Sequence, residues 1–183
     1  AKNSEYIYDS VIESLKLNLD EIKISTKFLK NSMLLDLKEY LNSENIFNGH
    51  FNGNGNTISG VKITGVYETE ANVGLFSTLG ANADVENINL SGINIDVEGV
   101  NSAVRAGAIA GDIVSGSAPY GCYIDSVGVT GSVKVTTSGG KLTFAGGITG
   151  RTGQYAMISN SWVDVSVYSI SNDGNTSAYA GGI

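Results

Sequence analysis

Ile124-Asp125-Ser126-Val127-Gly128-Val129 places apolar residues at its first, fourth and sixth positions, and the same spacing returns along the chain. It recurs as Ile58, Val61, Ile63, as Val85, Ile88, Leu90, and as Ile158, Ser161, Val163, where a serine takes the middle place. A second element alternates with it: Gly74-Leu75-Phe76, Gly107-Ala108-Ile109, Gly146-Gly147-Ile148 and Gly181-Gly182-Ile183, with the glycines 33, 39 and 35 residues apart. Two motifs returning in step four times predict stacked copies of one supersecondary unit.

The alternation in Val127-x-Val129 and its counterparts puts those side chains on one face of a strand. The three-residue step before it breaks that phase, so a corner is predicted at Gly60, Asn87, Ser126 and Asn160, residue types that accept unusual backbone angles or hydrogen-bond their own backbone. Seven residues after each first apolar position stand Gly65, Gly92, Gly131 and Val165, which predicts a second bend at the three glycines. One such coil buries too few apolar side chains to offset the entropy of ordering its backbone, so neighbouring coils must share a core. The expectation is a mainly β protein, a parallel β-helix whose interior carries a column of Phe76, Ile109, Ile148 and Ile183. Loops over residues 115–120 and 136–141 are expected to project from it.

Composition agrees and divides the chain. Among 183 residues there are 24 Gly and 1 Pro, which excludes collagen and is wrong for a helical bundle. No glycine precedes Gly49, so residues 1–46 read as a capping segment and residues 47–183 as about four coils. Tyr8, Val11, Ile12 and Leu15 behind Ser4 as N-cap predict a helix over residues 4–17. Glu21 to Phe28 alternates as a strand would, and Ser32 to Leu41 reads as a second helix or another extended run. A helix there would cover the strand edges of the first coil, whereas Gly181-Gly182-Ile183 opens a further element and stops, so the natural chain is expected to be longer.

Net charge of -7 argues against nucleic acid and anionic membranes as partners. No apolar run reaches the eighteen or so residues of a membrane span. One cysteine, Cys122, and one histidine, His50, make neither an internal disulfide nor the usual zinc constellation, and no cofactor is expected. Ala1 to Glu5 lacks a signal-peptide pattern, which leaves a cytosolic chain or a mature piece of a secreted one.

Glu86 and Asp125 each follow the first apolar residue of their repeat, so register would set them on the outer face of adjacent coils about 4.8 Å apart. That resembles the paired carboxylates of retaining glycosidases. The pair is flanked in this alignment by Ser59 and Ser159 on an open strand face, where two carboxylates are merely solvated. Trp162 and Tyr168 are outward by the same alternation, and Tyr120, Tyr123 and Tyr155 fall in or beside loops. Such rings stack on sugars or anchor proteins, and they also simply cover sheets. Cys122 reads as a small semi-buried residue near a strand start, and His50 as a turn residue. Gly139-Gly140-Lys141-Leu142 and Gly53-x-Gly55 lack the remainder of a phosphate-binding loop. Asp173-Gly174-Asn175 reads as a tight turn too poor in oxygens for calcium. Asn89 and Asn175 open Asn-x-Ser/Thr triplets of the kind chance supplies. No residue is assigned a catalytic, cofactor-binding or metal-ligating role.

Phe51-Asn52-Gly53-Asn54-Gly55-Asn56-Thr57-Ile58, and Ala145-Gly146-Gly147-Ile148-Thr149-Gly150 with Ile158-Ser159-Asn160, resemble the GLUG repeat of bacterial secreted and surface proteins. Asn52 stands where that family usually has Asp, and Phe76-Ser77 ends the first unit without its second glycine. The resemblance implies a right-handed β-helix in an adhesin-like protein at the cell surface or secreted, a non-catalytic structural or adhesive segment whose partners are a host glycoprotein or glycan and the other domains of a longer chain. The alternatives are the accessory region of a large secreted zinc metallopeptidase that cleaves immunoglobulin A, and a polysaccharide-active enzyme using Glu86 and Asp125. A metallopeptidase centre needs two histidines on one helix, and His50 stands alone.

Overall fold

The computed structural model describes residues 46–183 except 118–119 and 174–175. The expected helix over residues 4–17, the strand over residues 21–28 and the segment 32–41 lie outside the described residues.

Among the described residues, fourteen strands wind into a parallel β-solenoid of about four turns. The chain enters through β1 (Ile46–Phe47). Each turn then runs along a long bent face, crosses to a second short face and returns by a third. The first turn is β2 (His50–Ser59), β3 (Lys62–Tyr67), β4 (Ala71–Val73) and β5 (Phe76–Leu79). The second is β6 (Asp84–Gly99), β7 (Val104–Gly107) and β8 (Ala110–Ile113), and the third β9 (Tyr123–Thr137), β10 (Thr143–Gly146) and β11 (Thr149–Arg151). The last contains β12 (Met157–Ser159), β13 (Trp162–Ser171) and β14 (Ala178–Gly181). Sheet I stacks β2 and β3 on β6, β6 on β9, and β9 on β12 and β13, while sheet II runs β4-β7-β10-β14 and sheet III β1-β5-β8-β11. Every pairing between these strands is parallel.

Register stacks like on like. Val85, Ile124 and Ile158 form one column, Leu90, Val129 and Val163 a second, and Ile63, Ile95, Val133 and Val167 a third. Val85, Ile124, Leu90, Val129, Ile95 and Val133 are essentially without solvent exposure, whereas Ile158, Val163 and Val167 on the last turn are only half-buried. At the other end Phe76 packs between Phe47, with ring centroids 4.8 Å apart, and Phe51, edge-on at 5.6 Å.

The corners at Asn87, Ser126 and Asn160 have φ of 54°, 55° and 48°, the left-handed backbone that the phase break demanded. In the first turn the alignment needs correcting. Phe51, not Ile58, stands over Val85, and Ile58 pairs with Leu90. Three residues, Gly53 to Gly55, occupy the corner that Asn87 alone turns in the next coil, and this insertion shifts everything after it. Gly60 (φ 68°) therefore belongs with the second bend at Gly92 (φ 64°), and Gly65 lies in straight strand opposite Val97. Gly131 (φ 133°) keeps its bend.

Of the expected interior column only Ile109 and Ile148 stack in register; Phe76 is buried outside that register and Ile183 is not part of it. Phe76, Ile109 and Ile148 are fully buried, but Phe76 stands in register with Ala110, because the first turn crosses from Val73 to Phe76 in one residue fewer than the second crosses from Ala106 to Ala110. Ile183 lies past the end of β14 and is 63% exposed.

Sheets II and III approach closely enough to exclude side chains at the glycines of their inner turns, Gly74, Gly107 and Gly146. A Cβ on Gly107 would sit 2.5 Å from both the Ala110 carbonyl oxygen and the Thr149 Cα, rigid backbone that has nowhere to move. Gly92 is the opposite case, since nothing lies within 4 Å of its Cβ position. Gly107→Ala is expected to cost more than about 2 kcal/mol. Gly92→Asn, which keeps a residue tolerant of left-handed backbone, should stay within about 0.5 kcal/mol of the parent. Urea-unfolding midpoints of the two variants decide it.

Candidate functional site

Polar side chains on the outer surface follow the same stacking rule as the core, and sheet I carries the carboxylates singled out from sequence. Glu86 on β6 and Asp125 on β9 are register partners, so adjacency of the two is observed. Their column begins with Asn52 and ends with Ser159, which corrects the Ser59 flank by the same shift described above. Asn52 Nδ2 donates to Glu86 Oε1 at 2.5 Å, and His50 Nε2 lies 3.0 Å from the same oxygen. His50 opens β2 instead of lying in a turn, and its Nδ1 is 3.5 Å from Asp84 Oδ2. Asp125 accepts from Ser159 Oγ at 2.6 Å, Asn160 Nδ2 at 2.7 Å and Ser126 Oγ at 2.8 Å. Those three donors, Ser159 foremost, hold its carboxyl below the usual carboxylate range.

This geometry does not divide two carboxylates into acid and base. A retaining pair needs one member kept protonated near neutrality, yet Asp125 is stabilised as the anion and Glu86 is bound by two neighbours. Both sit on an exposed strand face rather than in a cleft. Among the described residues, no group of three or more His, Cys, Asp or Glu side chains is placed to hold a metal ion.

Sequence reasoning missed a second ionic system on sheets II and III. Asp112 on β8 is buried and takes a forked pair from Arg151 on β11, Nε to Oδ1 at 2.7 Å and a terminal nitrogen to Oδ2 at 2.6 Å. Hydrogen bonding to Asp112 raises the Arg151 pKa further. On sheet II, buried Arg105 on β7 pairs with Glu70, donates to Asn72 Oδ1 at 3.3 Å and lies 5.6 Å from the centre of the Phe144 ring, which stacks in turn on Tyr179 at 5.0 Å. Arg105 Nε is buried and finds no hydrogen-bond partner. The signal was present: Asp112 and Arg151 each follow their repeat glycine, Gly107 and Gly146, by five residues, and Arg105, Phe144 and Tyr179 each precede one by two. Counting from the glycines is enough to stack these side chains on one another.

The aromatic residues stand as the alternation requires. Trp162 and Tyr168 are exposed on β13, and Tyr120, Tyr123 and Tyr155 are exposed at or beside loops. Trp162 lies against the space above Gly128 and beside Asn89. Cys122 is buried immediately before β9, and burial foremost, with Asp84 adding to it, pushes its thiol up to about 12, which leaves it unreactive as a nucleophile. Of the tight turn at Asp173, only Asp173 is described, and it accepts from the Gly140 backbone nitrogen at 2.9 Å.

No protein-family model, curated protein or solved structure matches this chain.

Two outcomes follow from the ionic contacts. Arg151→Met should destabilise the chain by about 3 kcal/mol by leaving the Asp112 carboxylate buried and unpaired, and the double change Asp112→Val/Arg151→Met should recover most of it. Chemical denaturation of the three proteins measures the difference. For Asp125 the folded pKa is depressed, so its contribution to stability is complete above the unfolded value of about 3.9 and is lost as pH falls through the lower folded value. An NMR titration should place the Asp125 midpoint below its unfolded value, and Ser159→Ala should move that midpoint upward.

Proposed function

We propose that this segment is a non-catalytic structural and adhesive β-solenoid of a secreted or cell-surface protein, a rigid stalk that displays its outer face to a ligand. The observation that carries this reading is the use of the outward polar side chains: the carboxylates best placed for chemistry, Glu86 and Asp125, are engaged by donors from adjacent coils and act as rungs between turns. A site for acid–base catalysis is built the other way round, with a titratable group shielded and left a proton to give. The resemblance to GLUG repeats supports the same assignment, including a right-handed winding, the hand that parallel crossovers strongly favour. Parallel stacking also suits a spacer, since each added coil lengthens the solenoid by one strand spacing, roughly 4.8 Å, without altering its cross-section.

The competing reading as a polysaccharide-degrading enzyme has a direct test. Incubation of the chain with neutral and acidic polysaccharides is expected to release neither new reducing ends nor unsaturated products. Cleavage that disappears in Glu86→Gln/Asp125→Asn would overturn the non-catalytic reading.

A further inference from the structure

A groove of about 490 Å³ crosses the outer surface of sheet I near the far end of its long strands, within the range of roughly 300–1,000 Å³ typical of ligand clefts. Two adjacent columns of outward side chains run through it and continue onto the last turn. One column is Thr64, Asp96, Lys134 and Tyr168, the other Val66, Glu98, Thr136 and Ile170, each contributed by four successive turns. Residues of the first three turns line the groove together with Asn172 just past β13, and Tyr168 stands next to Lys134 across the last strand spacing. Lys134 Nζ is 3.2 Å from Asp96 Oδ1, and both side chains remain nearly half exposed, so this pair is open to a ligand on its outer side.

We propose that this groove binds a neutral oligosaccharide running across the coils, which deepens the adhesive reading above and rests on it. Carboxylates at Asp96 and Glu98 accept from sugar hydroxyls, the Lys134 ammonium donates to them, and the hydroxyls of Thr64 and Thr136 do either. Four turns span about 14 Å at the strand spacing, and Tyr168, 54% exposed, offers a ring on which a sugar face stacks at one end. Other classes of ligand fit worse. Two carboxylates against one ammonium, in a chain of net charge -7, repel a polyanion. A peptide that adds as a further strand does so at a sheet edge, whereas the groove lies on the face of sheet I, centred on β6 and β9, which are paired on both sides. Val66 is the one exposed apolar side chain lining the groove, and a protein partner needs a pocket for its buried anchor.

The test uses the whole chain, titrated with cellohexaose, xylohexaose, mannohexaose and maltohexaose, each followed by calorimetry and amide NMR. The expected result is saturable binding of at least one, with shifts confined to residues 64–66, 96–98, 134–136, 168 and 172. Tyr168→Ala and Glu98→Gln should each weaken it tenfold or more, while Trp162→Ala, six residues away along β13, leaves it unchanged. Both substitutions are at exposed positions, and unchanged amide spectra elsewhere confirm the fold. Binding that shifts residues around Trp162 and ignores Tyr168→Ala would overturn the groove and leave the adhesive reading standing. Silence with all four sugars, or tighter binding of polygalacturonate or tetralysine, would overturn the ligand class.

Discussion

Parallel register between successive turns is the constraint from which the rest of this structure follows. A turn buries its inward residues only when the next turn lies directly over them, and the backbone ladder fixes which residue lies over which to within a single position. A slip of one residue along sheet I would send Leu90 and Val129 outward and bring Asn89 and Gly128 in. The left-handed corners at Asn87, Ser126 and Asn160 protect against that slip, because each restarts the strand in a defined phase. Glycines between sheets II and III set the other dimension of the cross-section by letting backbones touch where a side chain would hold them apart.

The same register governs the outer surface. Side chains that would be independent on a globular protein become neighbours one strand spacing apart, and unlike charges or amides then pair across coils: Asn52 with Glu86, Asp96 with Lys134, Asp112 with Arg151. Their worth differs with burial. The exposed Lys134–Asp96 pair contributes little and is free to exchange its contacts. Asp112 is shielded, so its forked partner Arg151 is required to avoid an unpaired interior charge. Glu86 and Asp125 are ladder rungs for the same reason, and their closeness reflects stacking before it reflects chemistry.

Much of this was legible in the sequence, and the failures have one cause. The repeat, the outward sense of Trp162 and Tyr168, the adjacency of Glu86 with Asp125 and three of the left-handed corners all follow from counting residues in turns two to four, where the corners within sheet I are equal or differ by one. In the first turn the extra residues of Gly53-Asn54-Gly55 lengthen a corner, and counting from Ile58 then assigns the wrong partner to every later position up to Gly65. Corners vary in length because a loop facing water meets no register requirement, while the strands on either side of it do. Spacing therefore transfers between coils only within a strand, and Phe51, whose aromatic bulk against Phe76 marks it as inward, was the residue that would have corrected the phase.

Shape, finally, was invisible to spacing. Counting identifies Thr64, Asp96, Lys134 and Tyr168 as one column once the first-turn phase is corrected, but a column on a flat sheet is only a surface. The groove also takes in Asn172, just past the end of β13, whose backbone nitrogen donates to the Thr137 carbonyl at 2.9 Å. No period in the chain marks that residue as part of the same site, because it lies where the ladder gives way to a turn and the path of the chain is set by packing shared among many side chains. Sequence periodicity supplies the list of groups a ligand would meet on this face, and the course of the backbone beyond the strand ends decides that they converge.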